Sequence, residues 1–153
     1  MGAYGASREI MSNVAPLGGV YQAGTLSGNP LATAAGLAVL EHLTVEAYAA
    51  LAERAARLQE GMQSSFDAAG VAAVLPRVGP LLGIFFTDTA PHDFDSAKAA
   101  ADNGVYPRFF HGMLDRGIAL APGAYEAIFP SLAHGDEEIE ATIAACAEVA
   151  ATL

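Results

Sequence analysis

The chain has 153 residues, of which 53% are hydrophobic and 16% are charged. Such a balance can fill a core, so it excludes an intrinsically disordered chain. The 17 acidic residues outnumber the 7 basic ones and give a net charge of −10, which excludes nucleic acid and anionic membrane surfaces as partners because both would be repelled.

Residues 1–29 are rich in Gly, Ser, Pro and Tyr and predict loops and short turns. A helix is predicted from Leu31 to Leu43, because Asn29 is a good N-cap and Pro30 suits the first helical position. The segment is apolar almost all round, which predicts a buried helix. Its apolar stretch is too short to span a bilayer.

A second helix is predicted from Val45 to Ala69, ending at Gly70. One apolar stripe recurs at spacings of three and four along it, formed by Leu51, Ala55, Leu58, Met62 and Phe66. This stripe predicts the face that packs on the core.

The remaining sequence alternates between short strands and helices. Strands are predicted at Val71–Leu75, Leu82–Thr87, Ile118–Ala121 and Ala127–Leu132, and helices at Phe94–Ala101, Tyr106–Arg116 and Asp136–Leu153. The apolar side of the middle one of these helices is predicted to carry Phe109, Phe110, Met113 and Leu114. Hairpin-paired strands with helices on one face make an α+β domain with an antiparallel sheet, which we place at residues 44–153. Residues 1–43 then form the tail of a larger unit.

The single cysteine, Cys146, excludes an internal disulfide and suits a reducing cytoplasm, where we expect the protein to act. The pattern of the last helix turns Ile139, Ile143, Cys146 and Val149 inward. Cys146 is therefore either a buried structural thiol or a reactive one.

The segment from Tyr21 to Pro30, YQAGTLSGNP, is a polar, glycine-bearing loop that leads into the first predicted helix. Free backbone N–H groups, hydroxyls and the helix dipole make it a candidate for binding a phosphate. The alternative from the residues alone is an ordinary capped helix start. The loop has no lysine, so it is not a Walker motif.

The string APLGGV at residues 15–20, followed by YQAGTLSGNP, resembles the glutamate-1-semialdehyde aminomutase family of class-III, fold-type-I pyridoxal-phosphate enzymes. The resemblance covers essentially the whole chain and continues in GAYG at 2–5, FFHGML at 109–114, GIALAP at 117–122, YEA at 125–127 and SLAH at 131–134. It implies a small C-terminal α+β domain, preceded by a loop and a long helix from the large, cofactor-binding domain.

The resemblance also implies roles for single residues. Gly24 and Thr25 would hold the phosphate of pyridoxal phosphate across the interface of a homodimer, since glycine lets the backbone approach closely and threonine adds a donor. Glu126 and Tyr21 would lie near the small-molecule substrate. The family converts glutamate 1-semialdehyde to 5-aminolevulinate for tetrapyrrole synthesis.

The family's catalytic lysine would lie upstream of Met1, so no catalytic residue is expected in this chain. Lys98, the one lysine, does not occupy the family's lysine position. We therefore expect this chain alone to be inactive and to bind pyridoxal phosphate weakly or not at all. We also expect residues 1–43 to expose apolar surface and either to self-associate or to be partly disordered. His111 and His134 are candidate acid–base groups or structural residues, and their spacing predicts no metal site.

Two other functions remain possible from the sequence. One is a related class-III aminotransferase with a separate amino acceptor. The other is a non-catalytic interaction module.

Overall fold

The computed structural model describes residues 2–153, which form two compact units divided between Thr44 and Val45. The helices are α1 (Arg8–Met11), α2 (Pro30–His42), α3 (Val45–Ala69), α4 (Phe94–Asp102), α5 (Val105–Asp115) and α6 (Asp136–Ala150). An antiparallel pair of strands, β1 (Arg77–Val78) and β2 (Leu81–Leu82), completes an α+β architecture.

The first unit is built of turns and two helices. The side chain of Asn29 accepts hydrogen bonds from the N–H groups of Leu31 and Ala32, each at 3.1 Å, so this residue is the predicted N-cap of α2. No residue of α2 is buried, and the predicted burial of this helix is wrong. An apolar helix needs a partner surface, and the short first unit does not cover it. The expected exposure of apolar surface is confirmed, with Leu31 82% exposed.

In the second unit, α3 is the longest helix and carries the main core face. It ends at Ala69, and Gly70 follows with φ +69°, the left-handed conformation that stops a helix. The predicted stripe is confirmed, since the buried residues of α3 are Leu51, Ala55, Leu58, Met62 and Phe66. This face packs against α6.

Aromatic rings form the centre of the core. Phe66 of α3 meets Phe86 edge-on at a centroid distance of 5.4 Å, and Phe109 of α5 lies 5.4 Å from each of them. Such pairs add about 0.5–1.5 kcal/mol each beyond the area that they bury. They fix α5 against α3.

The sheet is smaller than the sequence predicts. The paired strands are centred on a hairpin whose turn contains Gly79, with Arg77 opposite Leu82. Of the four predicted strands, residues 71–75 and 82–87 meet at a Val74–Phe85 bridge, and residues 127–132 pair through Ile128 with Leu82. Residues 118–121 form no strand in the described chain. Short apolar segments become strands only where a second segment supplies backbone partners, which local patterns do not reveal.

The last three helices follow their predicted positions closely. Asp93 caps α4, accepting the N–H of Ser96 at 2.8 Å. In α5 the buried face differs from the prediction, since Tyr106 is buried while Leu114 is 45% exposed. Cys146 of α6 is fully buried, and burial raises the pKa of its thiol to about 12, against a smaller opposing effect of a hydrogen bond with Ser65. The thiol is therefore structural.

Candidate functional site

The predicted phosphate loop is a turn at residues 24–28 that precedes α2. The N–H of Ser27 donates to the carbonyl of Gly24 at 2.9 Å, and Gly28 has φ +74°, which favours glycine. Gly24 and Thr25 are exposed and lie side by side at the start of the turn. The turn borders a hollow of about 440 Å³ in the first unit.

Several donors of this turn have no partner within residues 2–153. These are the N–H groups of Gly24 and Thr25 and the hydroxyls of Thr25 and Ser27. Ser27 was not among the predicted phosphate-binding residues, although its hydroxyl lies only two residues beyond Thr25 in the sequence. No acidic side chain lies between residues 21 and 30 to repel an anion.

The N-terminal end of α2 is already occupied. The Asn29 side chain accepts from Leu31 and Ala32, and its carbonyl accepts the N–H of Thr33 at 2.9 Å. These amides are therefore not available to an anion. A bound phosphate would be held by the turn one step upstream of the helix, with the helix dipole adding attraction from behind.

The turn fits a phosphate group. A β-carbon at Gly24 would lie 3.0 Å from the hydroxyl oxygen of Ser27, so a larger residue would crowd the unpartnered donors. Phosphate sites that have no charged side chain bind the anion through backbone N–H groups and hydroxyls. Within residues 2–153, no three His, Cys, Asp or Glu side chains lie close enough together to bind a metal ion.

The two predicted substrate residues lie in different units. Tyr21 is 82% exposed in an irregular segment before the turn. Glu126 is exposed in the second unit, where its N–H donates to the carbonyl of Gly123 at 3.2 Å and closes a tight turn. The Glu126 carboxylate accepts no hydrogen bond from any described residue. It is therefore free to contact a ligand.

The histidines and the lysine have other surroundings. His134 Nδ1 accepts the N–H of Ser131 at 2.9 Å and lies 2.9 Å from its hydroxyl, which makes it a turn-forming residue. His111 is exposed on α5, beside the ring of Phe110. Lys98 is exposed on α4 and pairs with Asp102 one turn away.

Within the part of the chain that the structure describes, no single helix is both long enough and apolar enough to cross a membrane. The helices α2 and α3 meet these two criteria only when they are counted together.

Residues 1–143 match the sequence pattern of the family Aminotransferase class-III. This chain belongs to that family. Its class-III relatives include the glutamate-1-semialdehyde 2,1-aminomutases of Psychrobacter arcticus and Syntrophus aciditrophicus, each 50% identical to it across its whole length. The chain spans 36% of the length of these relatives.

Solved structures place this class-III chain in the same fold. An omega-transaminase from Sphaerobacter thermophilus matches 95% of it with a TM-score of 0.75 and 25% identity, over 34% of that protein. A beta-phenylalanine aminotransferase from Variovorax paradoxus matches 94% with a TM-score of 0.73 and 28% identity, over 33% of its length. A glutamate-1-semialdehyde aminomutase from Pseudomonas aeruginosa, in complex with PMP, matches 83% with a TM-score of 0.73 and 24% identity, over 28% of its length.

Proposed function

We propose that this chain is the C-terminal part of a pyridoxal-phosphate enzyme that isomerises glutamate 1-semialdehyde to 5-aminolevulinate. The observation that carries the proposal is the 48–50% identity to proteins named as this aminomutase, across the whole chain. The product supplies tetrapyrrole synthesis, and we place the enzyme in the cytoplasm as a homodimer.

In this proposal the first unit supplies cofactor-holding groups. The N–H groups and hydroxyls of Gly24 and Thr25 would hold the phosphate of a cofactor bound in the neighbouring protomer. When bound, the amino-loaded form of the cofactor would supply an amino group to one carbon of the substrate and take up the amino group of the neighbouring carbon. Holding the phosphate at one end fixes the reactive end in place, which lowers the entropy lost on reaching the transition state.

Glu126 of the second unit is the proposed contact to the substrate. Its unpartnered carboxylate would accept hydrogen bonds from the amino group of the substrate, an interaction strengthened by the charge of both groups. Tyr21, in the first unit, is the other residue proposed to lie near the substrate. The lysine that completes the chemistry would belong to the part of the relatives' length that this chain does not span.

The direct test is a chimera. Residues 1–153 would replace the corresponding 36% of the Psychrobacter arcticus aminomutase, and the purified protein would be given glutamate 1-semialdehyde with no other amino donor or acceptor. We expect 5-aminolevulinate to form. A chimera that folds and holds its cofactor but forms no product without an added amino acceptor would favour the second candidate, an aminotransferase.

A companion measurement uses the 153-residue chain alone. We expect no visible absorption band after addition of pyridoxal phosphate and gel filtration, because no lysine at the family's position is present. A stable band at one cofactor per chain would contradict this expectation. The Lys98→Ala variant is the matched control. Lys98 is exposed, so it is the lysine that would react non-specifically with added pyridoxal phosphate.

A further inference from the structure

We propose that Phe94 is a positioning residue that holds the Glu126 turn in place through its ring contact with Tyr125; this rests on the role proposed above for Glu126. The rings of Phe94 and Tyr125 stack with centroids 6.2 Å apart and an angle of 22° between their planes. Tyr125 directly precedes Glu126 in the chain.

The stack lies on the surface of the second unit. Phe94 is 70% exposed and Tyr125 is 54% exposed, so core packing does not force the two rings together. Phe94 is the first residue of α4, where Asp93 and Ser96 form a reciprocal capping box. The ring is thus carried on a rigid helix end, and it contacts the turn from there.

The turn has anchors on both sides. Before it, the Tyr106 hydroxyl donates to the carbonyl of Ala121 at 2.7 Å. After it, Ile128 and Leu82 exchange backbone hydrogen bonds of 2.8 and 3.1 Å. Residues 122–127 lie between these anchors, and the Tyr125 ring connects this stretch to α4.

This contact matters for the placement of the Glu126 side chain. The Glu126 carboxylate accepts no hydrogen bond within residues 2–153, so the backbone must aim it. A turn that is ordered before the substrate arrives avoids an ordering cost on binding. Removing the Phe94 ring would leave Glu126 chemically intact but poorly placed.

The test is a double-mutant cycle in the chimera, with kcat and KM for glutamate 1-semialdehyde measured for each variant. We expect Phe94→Leu to raise KM by about 2- to 10-fold, the range that corresponds to one aromatic pair, with a smaller change in kcat. Phe94→Tyr keeps the ring and should restore the original KM. In the Glu126→Gln background, Phe94→Leu should have no further effect.

Three kinetic results would overturn the inference. They are an equal loss from Phe94→Leu in both backgrounds, a Phe94→Tyr variant as impaired as Phe94→Leu, or a Glu126→Gln variant with unchanged kinetics. Each can occur in an active chimera, so the inference can fail while the proposed function stands.

A second measurement, on the 153-residue chain, tests the inference even if the proposed function fails. Amide hydrogen exchange at residues 124–126 should speed up in Phe94→Leu and stay unchanged in Tyr48→Leu, which removes another exposed ring, on α3. If the chimera with the unaltered sequence is inactive, the proposed function fails and this exchange still decides whether Phe94 orders the turn. Unchanged exchange in Phe94→Leu would overturn the inference.

Discussion

Gly61 of α3 faces Ile143 of α6 so closely that a β-carbon at residue 61 would lie 2.7 Å from Cγ1 of Ile143. The two helices form the main packing contact of the second unit. Glycine in the middle of a helix is unfavourable by about 1 kcal/mol relative to alanine. The contact between the two helices is therefore the reason that glycine occurs here.

This relationship predicts the sign of a substitution. Gly61→Ala should lower the free energy of unfolding by about 1–3 kcal/mol, because overpacking outweighs the gain in helix propensity. Denaturant unfolding of the 153-residue chain measures it. The double variant Gly61→Ala with Ile143→Val removes the crowding methyl group and should recover part of the loss. A more stable Gly61→Ala variant would contradict the packing described.

The cap of α4 predicts a pH dependence. The hydrogen bond from the Ser96 hydroxyl, followed by that from the Ser96 N–H, holds the pKa of Asp93 below its usual value. The stabilisation is thus present above about pH 4, the usual pKa of aspartate, and is lost as pH falls through the lower value in the folded chain.

Asp93→Ala should therefore be less stable than the original chain at pH 7, with the difference shrinking below about pH 4. Asp93→Asn keeps a capping acceptor that does not titrate and serves as the control. Thermal unfolding between pH 3 and 7 tests this. A stability difference between the original chain and the Asp93→Ala variant that stays constant with pH would contradict it.

Tyr106 predicts a second, alkaline effect. Burial, and to a lesser extent the charge of Glu126, raises the pKa of its hydroxyl. The neutral hydroxyl stabilises the fold below the ordinary tyrosine pKa of about 10, and this contribution is lost as pH rises towards the higher value of the folded chain.

Tyr106→Phe keeps the ring but removes the hydrogen bond to Ala121, so it should lower the free energy of unfolding by about 1 kcal/mol at pH 7. The original chain should lose this advantage above about pH 10, because the Tyr106 hydroxyl then ionises and the phenylalanine of the variant does not. Urea unfolding of both chains at pH 7 and at about pH 10.5 checks this. An advantage that grows at high pH would contradict the burial of the hydroxyl.

The sequence predicted those parts of the fold that depend on local spacing. The α3 stripe from Leu51 to Phe66 repeats along one helix, and the Asn29 cap acts within three residues, so local sequence patterns reveal both. The predicted burial of α2 was wrong. An apolar pattern shows that a helix needs a surface to pack against, and it does not show that the same chain supplies that surface. The Leu82–Ile128 pairing joins segments far apart in sequence, and no local pattern indicates it.

The candidate site divides in the same way. The resemblance of a short motif to the family singled out Gly24 and Thr25, and their role in binding phosphate stays a prediction. The stack of Phe94 on Tyr125 joins two exposed rings on separate elements, so neither periodicity nor turn chemistry could have indicated it.

The central claim is that the Gly24–Thr25 turn holds the cofactor phosphate of the neighbouring protomer. Two inactive chimeras test it when refolded together: one carries Thr25→Asp, which sets a carboxylate against the phosphate, and the other lacks the upstream lysine. Thr25→Ser is the control and should remain active.

If Thr25 acts across the interface, each mixed dimer has one intact site, and statistical mixing should restore about one quarter of the activity of the unaltered chimera. Mixed dimers, verified by differential tags, that stay inactive would show that Thr25 serves its own protomer or no cofactor at all.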